Sequence, residues 1–355
     1  MSNLLPLVQF IFAIAALIIV HELGHLMAAK LCHIQVREFG IGFPPRLLRL
    51  FTLGETEFTL NWIPLGGFVR PEGENDPKVS GGLAATSPWK RLFFLISGPA
   101  MNLLSALFLY AFIFFQLGRP DLSTVQIMEV SAGSPAGVAG LQAGDVVLRI
   151  GQEEINSSEE LRALIYSHLG QNIEITYQRD GQIATVTLVP RDPPPESGAI
   201  GIAMGHPRLP INASQALWFG GEAIYEQGKA LISLPGRLLR GELNGDEGRL
   251  VGYKGMYDIY TEVREADSAP ASNLPAGINS LSFFAGISVS LGLLNLLPVP
   301  ALDGGRILFT LPELLFGKRI PQAYENVVNL VGLALLLLLM VYVNLQDFLN
   351  PIVIP

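Results

Sequence analysis

Four apolar runs approach the roughly 20 residues that a helix needs to cross a bilayer, and nothing else restricts this chain so strongly. They cover Leu4 to about Cys32, Leu92 to Leu117, about Ile278 to Val299, and Val327 to Val343. Lipid offers no partner to backbone N–H and C=O groups, so such runs must fold as helices. Composition agrees. Charged residues make up 15% of the 355, against about 25% in ordinary soluble domains. The mean hydropathy is +0.40. A formal net charge of −8 argues against nucleic acid as a partner, because that binding needs basic patches. The one cysteine, Cys32, has no internal partner for a disulfide and reads as a small packed hydrophobe.

Orientation is expected from lysine and arginine. The link between the first two runs holds Lys30, Arg37, Arg46, Arg49, Arg70, Lys78, Lys90 and Arg91, and the link between the last two holds Arg306, Lys318 and Arg319. By the positive-inside rule both links are cytoplasmic, and both termini lie outside. The first run has no basic leader and no small-residue cleavage site, so it is expected to remain in the mature protein. The segment between the second and third runs is then extracytoplasmic.

That segment changes character. "TVQIMEV", "VVLRI", "NIEITYQ", "QIATVTLV" and "GAIGIAM" read as strands, and Arg179-Asp180-Gly181 as a hairpin turn. Ser157 with Glu160 three residues on predicts a capped helix over "EELRALIYSHL". The pattern carried by Ala139, Gly140, Leu141, Gly144, Asp145, Val147, Ile150 and Gly151 resembles that of bacterial, protease-associated PDZ domains. Such domains hold extended peptides by adding a strand to a sheet edge. Residues 213–240 read either as an amphipathic helix on the outer membrane surface or as a plain connector helix. "GELNGDEGRLVGYKG" reads as a loop.

The chemistry begins where the first run should be most inert. "HELGH" puts His21, Glu22 and His25 inside it. Residues four apart on a helix are turned by about 400°, so His21 and His25 share a face about 6 Å apart along the axis. That spacing suits two imidazoles on one tetrahedral Zn²⁺. Glu22 lies beside them, placed to take a proton from a water that the metal polarises. Ionisable groups in a membrane helix cost about 2.5–3.5 kcal/mol each and are functional as a rule.

Zinc needs a third protein ligand. Leu31 stands where a metzincin would have its third histidine; His33 is turned about 80° from His25 on a continued helix. Glu38 is a local alternative. The stronger candidate is distant: Asp303 in "NLLPVPALDGGRI" follows Pro298 and Pro300, which must break a helix. Broken backbone at membrane depth is tolerated only inside protein or beside a wet cavity.

HELGH on the first membrane helix, combined with N-x-x-P-x-P-x-L-D-G on a late one, resembles the site-2 protease family of intramembrane zinc metalloproteases. The bacterial group with an extracytoplasmic PDZ domain, which cleaves anti-sigma factors, is the nearer likeness. The likeness also runs through "FGIGFPPRLLRL", "FTLNWIPLGGFVRPEGE" and "SGPAMNLLSAL". It implies that His21, His25 and Asp303 bind zinc, that Glu22 is the general base, and that Asn295 helps hold substrate or the oxyanion. It also implies that "QVREFGIGF" and "TEFTLNWIPLGGFVR" form a re-entrant β-hairpin beside the site. "LVGYKGMYDIY" departs from the pattern, and no role is transferred to it.

The expectation is therefore a polytopic α-helical membrane protein with about four transmembrane helices, a re-entrant β-hairpin and one inserted PDZ domain. Residues 1–117 form the first membrane region, 118–207 the PDZ domain, 208–276 an extracytoplasmic connector and 277–355 the second membrane region. The implied activity is cleavage of single-span membrane proteins in the inner membrane, with a substrate tail at the PDZ domain. A non-catalytic PDZ scaffold would be favoured by a degenerate HELGH or LDG, and both are intact. A helix face of Gly98, Asn102 and Ala106 is expected to pack against the HELGH helix.

Overall fold

A computed structural model describes residues 4–74, 76–195, 198–242, 248–268 and 274–351, except for the side chains of Pro64 and Leu65. The chain begins with α1 (Leu4–Leu31), β1 (Val36–Leu53), β2 (Thr56–Pro71) and α2 (Pro88–Leu117). There follow β3 (Arg119–Pro120), β4 (Val125–Val130), α3 (Pro135–Val138), β5 (Val146–Ile150) and β6 (Glu153–Glu154). Next come α4 (Ser158–Ser167), β7 (Ile173–Arg179), β8 (Gln182–Leu188), β9 (Ile202–Gly205) and β10 (Arg208–Leu209). The last elements are α5 (Ala213–Leu239), α6 (Tyr253–Ser268), α7 (Ile278–Asn295), α8 (Asp303–Phe316) and α9 (Gln322–Leu349). Two compact units result: Met1–Gln116 with Ala213–Pro355, and Leu117–Asn212.

In the first unit α1, α2, α7 and α9 are long and apolar enough to cross a membrane. No ionisable residue interrupts α1 before His21. Glycines let α1 and α2 meet closely: a β-carbon on Gly24 would lie 2.3 Å from the Ser97 carbonyl oxygen. Gly98, Asn102 and Ala106 on α2 are all buried. Small residues at such crossings are how membrane helices gain contact without a hydrophobic driving force.

The helix α5 packs on membrane-length neighbours, which its mixed composition does not advertise. A β-carbon on Gly220 would sit 3.0 Å from the Leu107 carbonyl oxygen of α2. Gln227 accepts a hydrogen bond from the Tyr110 hydroxyl at 3.1 Å and donates to the Gly286 carbonyl of α7 at 2.9 Å. The loop expected through residue 255 is corrected at its end, since α6 already begins at Tyr253; residues 243–247 of that stretch lie outside the described ones. A fully buried carboxylate from the end of α9 explains the start of α6. Asp347 accepts from Gly252 N–H at 2.8 Å and Gly255 N–H at 3.0 Å, and Arg249 donates to its other oxygen at 3.1 Å. This is an N-terminal cap supplied from another helix.

The expected hairpin of β1 and β2 is present, antiparallel and closed with Leu53 opposite Thr56, but it is folded on itself. β1 bends after Gly42 (φ +81°) and β2 before Gly66 (φ +132°), so each strand acts as two arms. Glu38, Phe39, Gly40 and Ile41 pair antiparallel with Arg70, Val69, Phe68 and Gly67. On their other side they face Glu57, Phe58, Thr59 and Leu60, whose numbers rise in step. Arm 46–53 then pairs with arm 56–61. The result is a sheet ordered 46–53, 56–61, 36–41, 67–71, with the last arm as one edge.

The second unit holds an antiparallel sheet ordered β8-β7-β5-β4-β9, with β6 on β5. Asp180 (φ 50°) and Gly181 (φ 82°) make the β7–β8 turn, whose left-handed residues match the strand twist. Ser157 Oγ accepts from Glu160 N–H at the start of α4. Val125, Ile127, Val147, Leu161 and Ile175 form the core. The fully buried Asp145 is paired by Arg179 at 2.6 and 2.7 Å and accepts from Gln142 N–H at 2.8 Å. The chain enters and leaves side by side, Arg119 opposite Leu209 and Pro120 opposite Arg208.

Candidate metal centre

The one-turn spacing on α1 brings His21 and His25 together at depth, with their Nε2 atoms 3.2 Å apart. Both side chains are buried. His25 Nδ1–H donates to the Phe94 carbonyl on α2 at 2.8 Å. That bond puts the ring proton on Nδ1 and leaves the Nε2 lone pair facing His21, a common way to set the tautomer of a metal-binding histidine.

Asp303 arrives from the far end of the sequence. α7 stops at Asn295, and residues 296–302 run without regular helix until α8 begins at Asp303. This is where Pro298 and Pro300 were expected to break the chain. The broken segment folds back on the start of α8: β-carbons on Gly304 and Gly305 would lie 2.1 and 2.3 Å from the Leu297 and Val299 carbonyl oxygens. Only glycine permits that approach. Ala301, in the left-handed region (φ 73°), donates its N–H to Asn329 Oδ1 of α9 at 3.1 Å. Asp303 Oδ2 thereby comes within 3.2 Å of His21 Nε2 and 3.4 Å of His25 Nε2.

These edges of 3.2, 3.2 and 3.4 Å decide which ion would fit. Tetrahedral ligands at about 2.0–2.1 Å from zinc stand about 3.3 Å apart. Two imidazoles and one carboxylate, with a fourth direction open, is a donor set suited to catalytic zinc. Among the described residues this is the one group of three or more metal-type donors whose atoms converge. The local alternatives are otherwise engaged. Glu38 is buried in the sheet, where Arg46 and Arg70 each approach one of its oxygens at 2.9 Å and Thr59 donates at 2.8 Å. His33 lies past the end of α1 in the left-handed region (φ 60°).

Glu22 and Asn295 line the same cavity of about 570 Å³ as the three donors. Gly67 backs Glu22: a β-carbon there would be 3.1 Å from Glu22 Cγ. The Val69 backbone N–H faces the Glu22 carboxylate. The edge arm of the sheet therefore borders the general-base candidate.

Three residues that matter here were underread in the sequence. Gly98 lies against both histidines, Asn102 Nδ2 is 3.3 Å from His21 Nδ1, and Tyr253 lines the cavity. The shared face of Gly98 and Asn102 was a usable signal. For Tyr253 there was none, because its helix is capped from α9.

The family profile described as Peptidase family M50 matches residues 9–339. A provisionally named zinc metalloprotease of Clostridium perfringens is 33% identical over 343 residues, covering 96% of this chain and 98% of its own. Zinc metalloprotease RasP of Oceanobacillus iheyensis is 27% identical over 431 residues, covering 96% of this chain and 98% of its own. Metalloprotease MmpA of Caulobacter vibrioides is 27% identical over 380 residues, covering 97% and 95%. Among solved structures, the PDZ domain of an SdrC-like protein from Listeria monocytogenes overlaps 23% of this chain and 87% of its own, at 26% identity and a TM-score of 0.21.

Proposed function

The chain belongs to peptidase family M50, the site-2 protease family, and is a membrane zinc metalloprotease; on that premise we propose that it cuts single-span membrane proteins within or near their membrane segments. In this proposal His21, His25 and Asp303 hold the zinc. The observation that carries it is the 3.2–3.4 Å triangle of their donor atoms beside Glu22 in one cavity. When bound, zinc supplies Lewis acidity toward water and the scissile carbonyl.

Glu22 is the general base. Its carboxylate removes a proton from the attacking water and later passes that proton to the amine as the peptide C–N bond breaks. Asn295 donates from its amide toward the oxygen where negative charge develops. A helical peptide bond is shielded by its own backbone, so the substrate must be extended before attack. Arm 67–71, the edge of the sheet, lies next to Glu22 and offers a backbone edge along which such a strand can pair.

Residues 118–207 are the PDZ domain in this proposal. Support comes from the A-G-L-x-x-G-D pattern and from the buried Asp145, which ties that loop to β7 through Arg179. In this proposal the domain lies outside the inner membrane with both termini, a placement that the lysine and arginine distribution supports. There it holds a substrate tail or turns away bulky ones. Anti-sigma factors are one class of single-span substrate that fits.

Metal analysis of the purified protein, run beside cleavage of a model membrane peptide, tests the reading. About one zinc per chain and zinc-dependent cleavage are expected. A metal-free protein that still cuts would overturn it.

A further inference from the structure

We propose that Asn102 is a positioning residue for His21, accepting the proton-bearing Nδ1–H through its side-chain oxygen and so aiming the Nε2 lone pair at the metal. This rests on reading His21 as a zinc ligand. His21 Nε2 points into the cluster, 3.2 Å from both Asp303 Oδ2 and His25 Nε2. A ring that gives its Nε2 lone pair to a metal carries its proton on Nδ1, and that proton needs an acceptor. His25 meets the requirement with the Phe94 carbonyl. At His21 Nδ1 the neighbour is the Asn102 amide, 3.3 Å away and buried on α2.

An amide offers one donor end and one acceptor end at almost the same positions. With Nδ2 toward the ring, Nδ2–H would meet Nδ1–H, donor against donor, while Oδ1 sits buried without a partner among the described residues. Turned the other way, Oδ1 receives the Nδ1 proton. The chemistry of the ligand selects this second orientation. The backbone is fixed independently, since Ser288 Oγ–H of α7 donates to the Asn102 main-chain carbonyl at 2.9 Å. Asn102 is thus held from behind while its side chain faces the histidine.

The test is zinc affinity of the full-length protein in detergent, measured by competition with a chelator, in three variants. Asn102→Leu keeps bulk and removes the acceptor; it should weaken zinc binding about 10–100-fold. Asn102→Asp keeps an acceptor and loses the donor, and its affinity should stay near that of the parent. His21→Ala reports on the ligand reading itself and should lose more zinc than either. If the leucine variant does not fold, Asn102→Ala is judged by the same criterion. The proposal is overturned if removing the acceptor leaves affinity unchanged, or if Asn102→Asp falls as far as Asn102→Leu. If His21→Ala keeps its zinc, the ligand assignment has failed rather than the role of Asn102.

Discussion

Gly98 lies so close to His25 that a β-carbon at position 98 would sit 2.3 Å from His25 Nε2, and 2.8 Å from His21 Nε2. The helix α2 therefore forms a wall of the candidate metal centre, and glycine is the residue that leaves the two imidazoles room.

Gly98→Ala should accordingly lose zinc while the protein still inserts and folds. Its added methyl group competes with the two imidazoles for space. Gly221→Ala on α5, where a β-carbon meets nothing within 4 Å, is the control and should keep its metal. Zinc content by atomic absorption checks both. A fully loaded Gly98→Ala protein would show that the histidines can retreat.

Glu22→Gln removes basicity and keeps shape. Peptide cleavage should fall by about 10²–10⁴, the usual contribution of a general base, with zinc retained. The comparison requires kcat and metal content on the same preparation. Normal turnover in this variant would remove Glu22 from the mechanism.

Asp303→Ala and Glu38→Ala separate the distant acid from the local one. The first should abolish activity and yield protein with little zinc. The second should keep its zinc but lose stability, since Arg46, Arg70 and Thr59 all bond to that carboxylate; charge-assisted hydrogen bonds of this kind contribute about 1.5–3 kcal/mol. Thermal unfolding together with metal analysis reads both effects. The opposite pattern of zinc loss would move the third ligand into the sheet.

Excising residues 121–207 tests the role of the inserted unit. Arg119–Pro120 and Arg208–Leu209 are paired, and antiparallel partners stand about 5 Å apart, so a short glycine linker can close the gap. The shortened protein should still cut a substrate with a brief unstructured tail and should accept bulkier outer domains than the parent does. A well-folded, zinc-loaded deletion with no cleavage would instead assign this unit a direct part in catalysis.

Some of this architecture could be read directly from residue spacing. His21 and His25 share a helix face by arithmetic, and Asp180-Gly181 specify a turn through backbone preference alone. Asp303 was harder: two prolines showed that the backbone breaks, but only tertiary contact shows which side of the break faces His21. The doubled sheet was missed because strand patterns do not reveal that one arm pairs on both sides. Gly42 and Gly66, which permit the bends, look like ordinary strand glycines. The start of α6 was hidden for a related reason. Its cap, Asp347, comes from a different helix, so "RLVGYKG" carries no local start signal.

The distance along the chain between His21 and Asp303, 282 residues, bears on how such a protein is made. Synthesis delivers the two histidines early and the carboxylate near the end. A ribosome-bound chain therefore holds only two of the three candidate donors for most of its assembly. The three-donor triangle closes only when α8 reaches α1. On the proposed reading, a nascent chain that already carries HELGH lacks its third zinc ligand through that interval. On that reading, the late position of Asp303 ties assembly of the candidate zinc site to the completion of the fold.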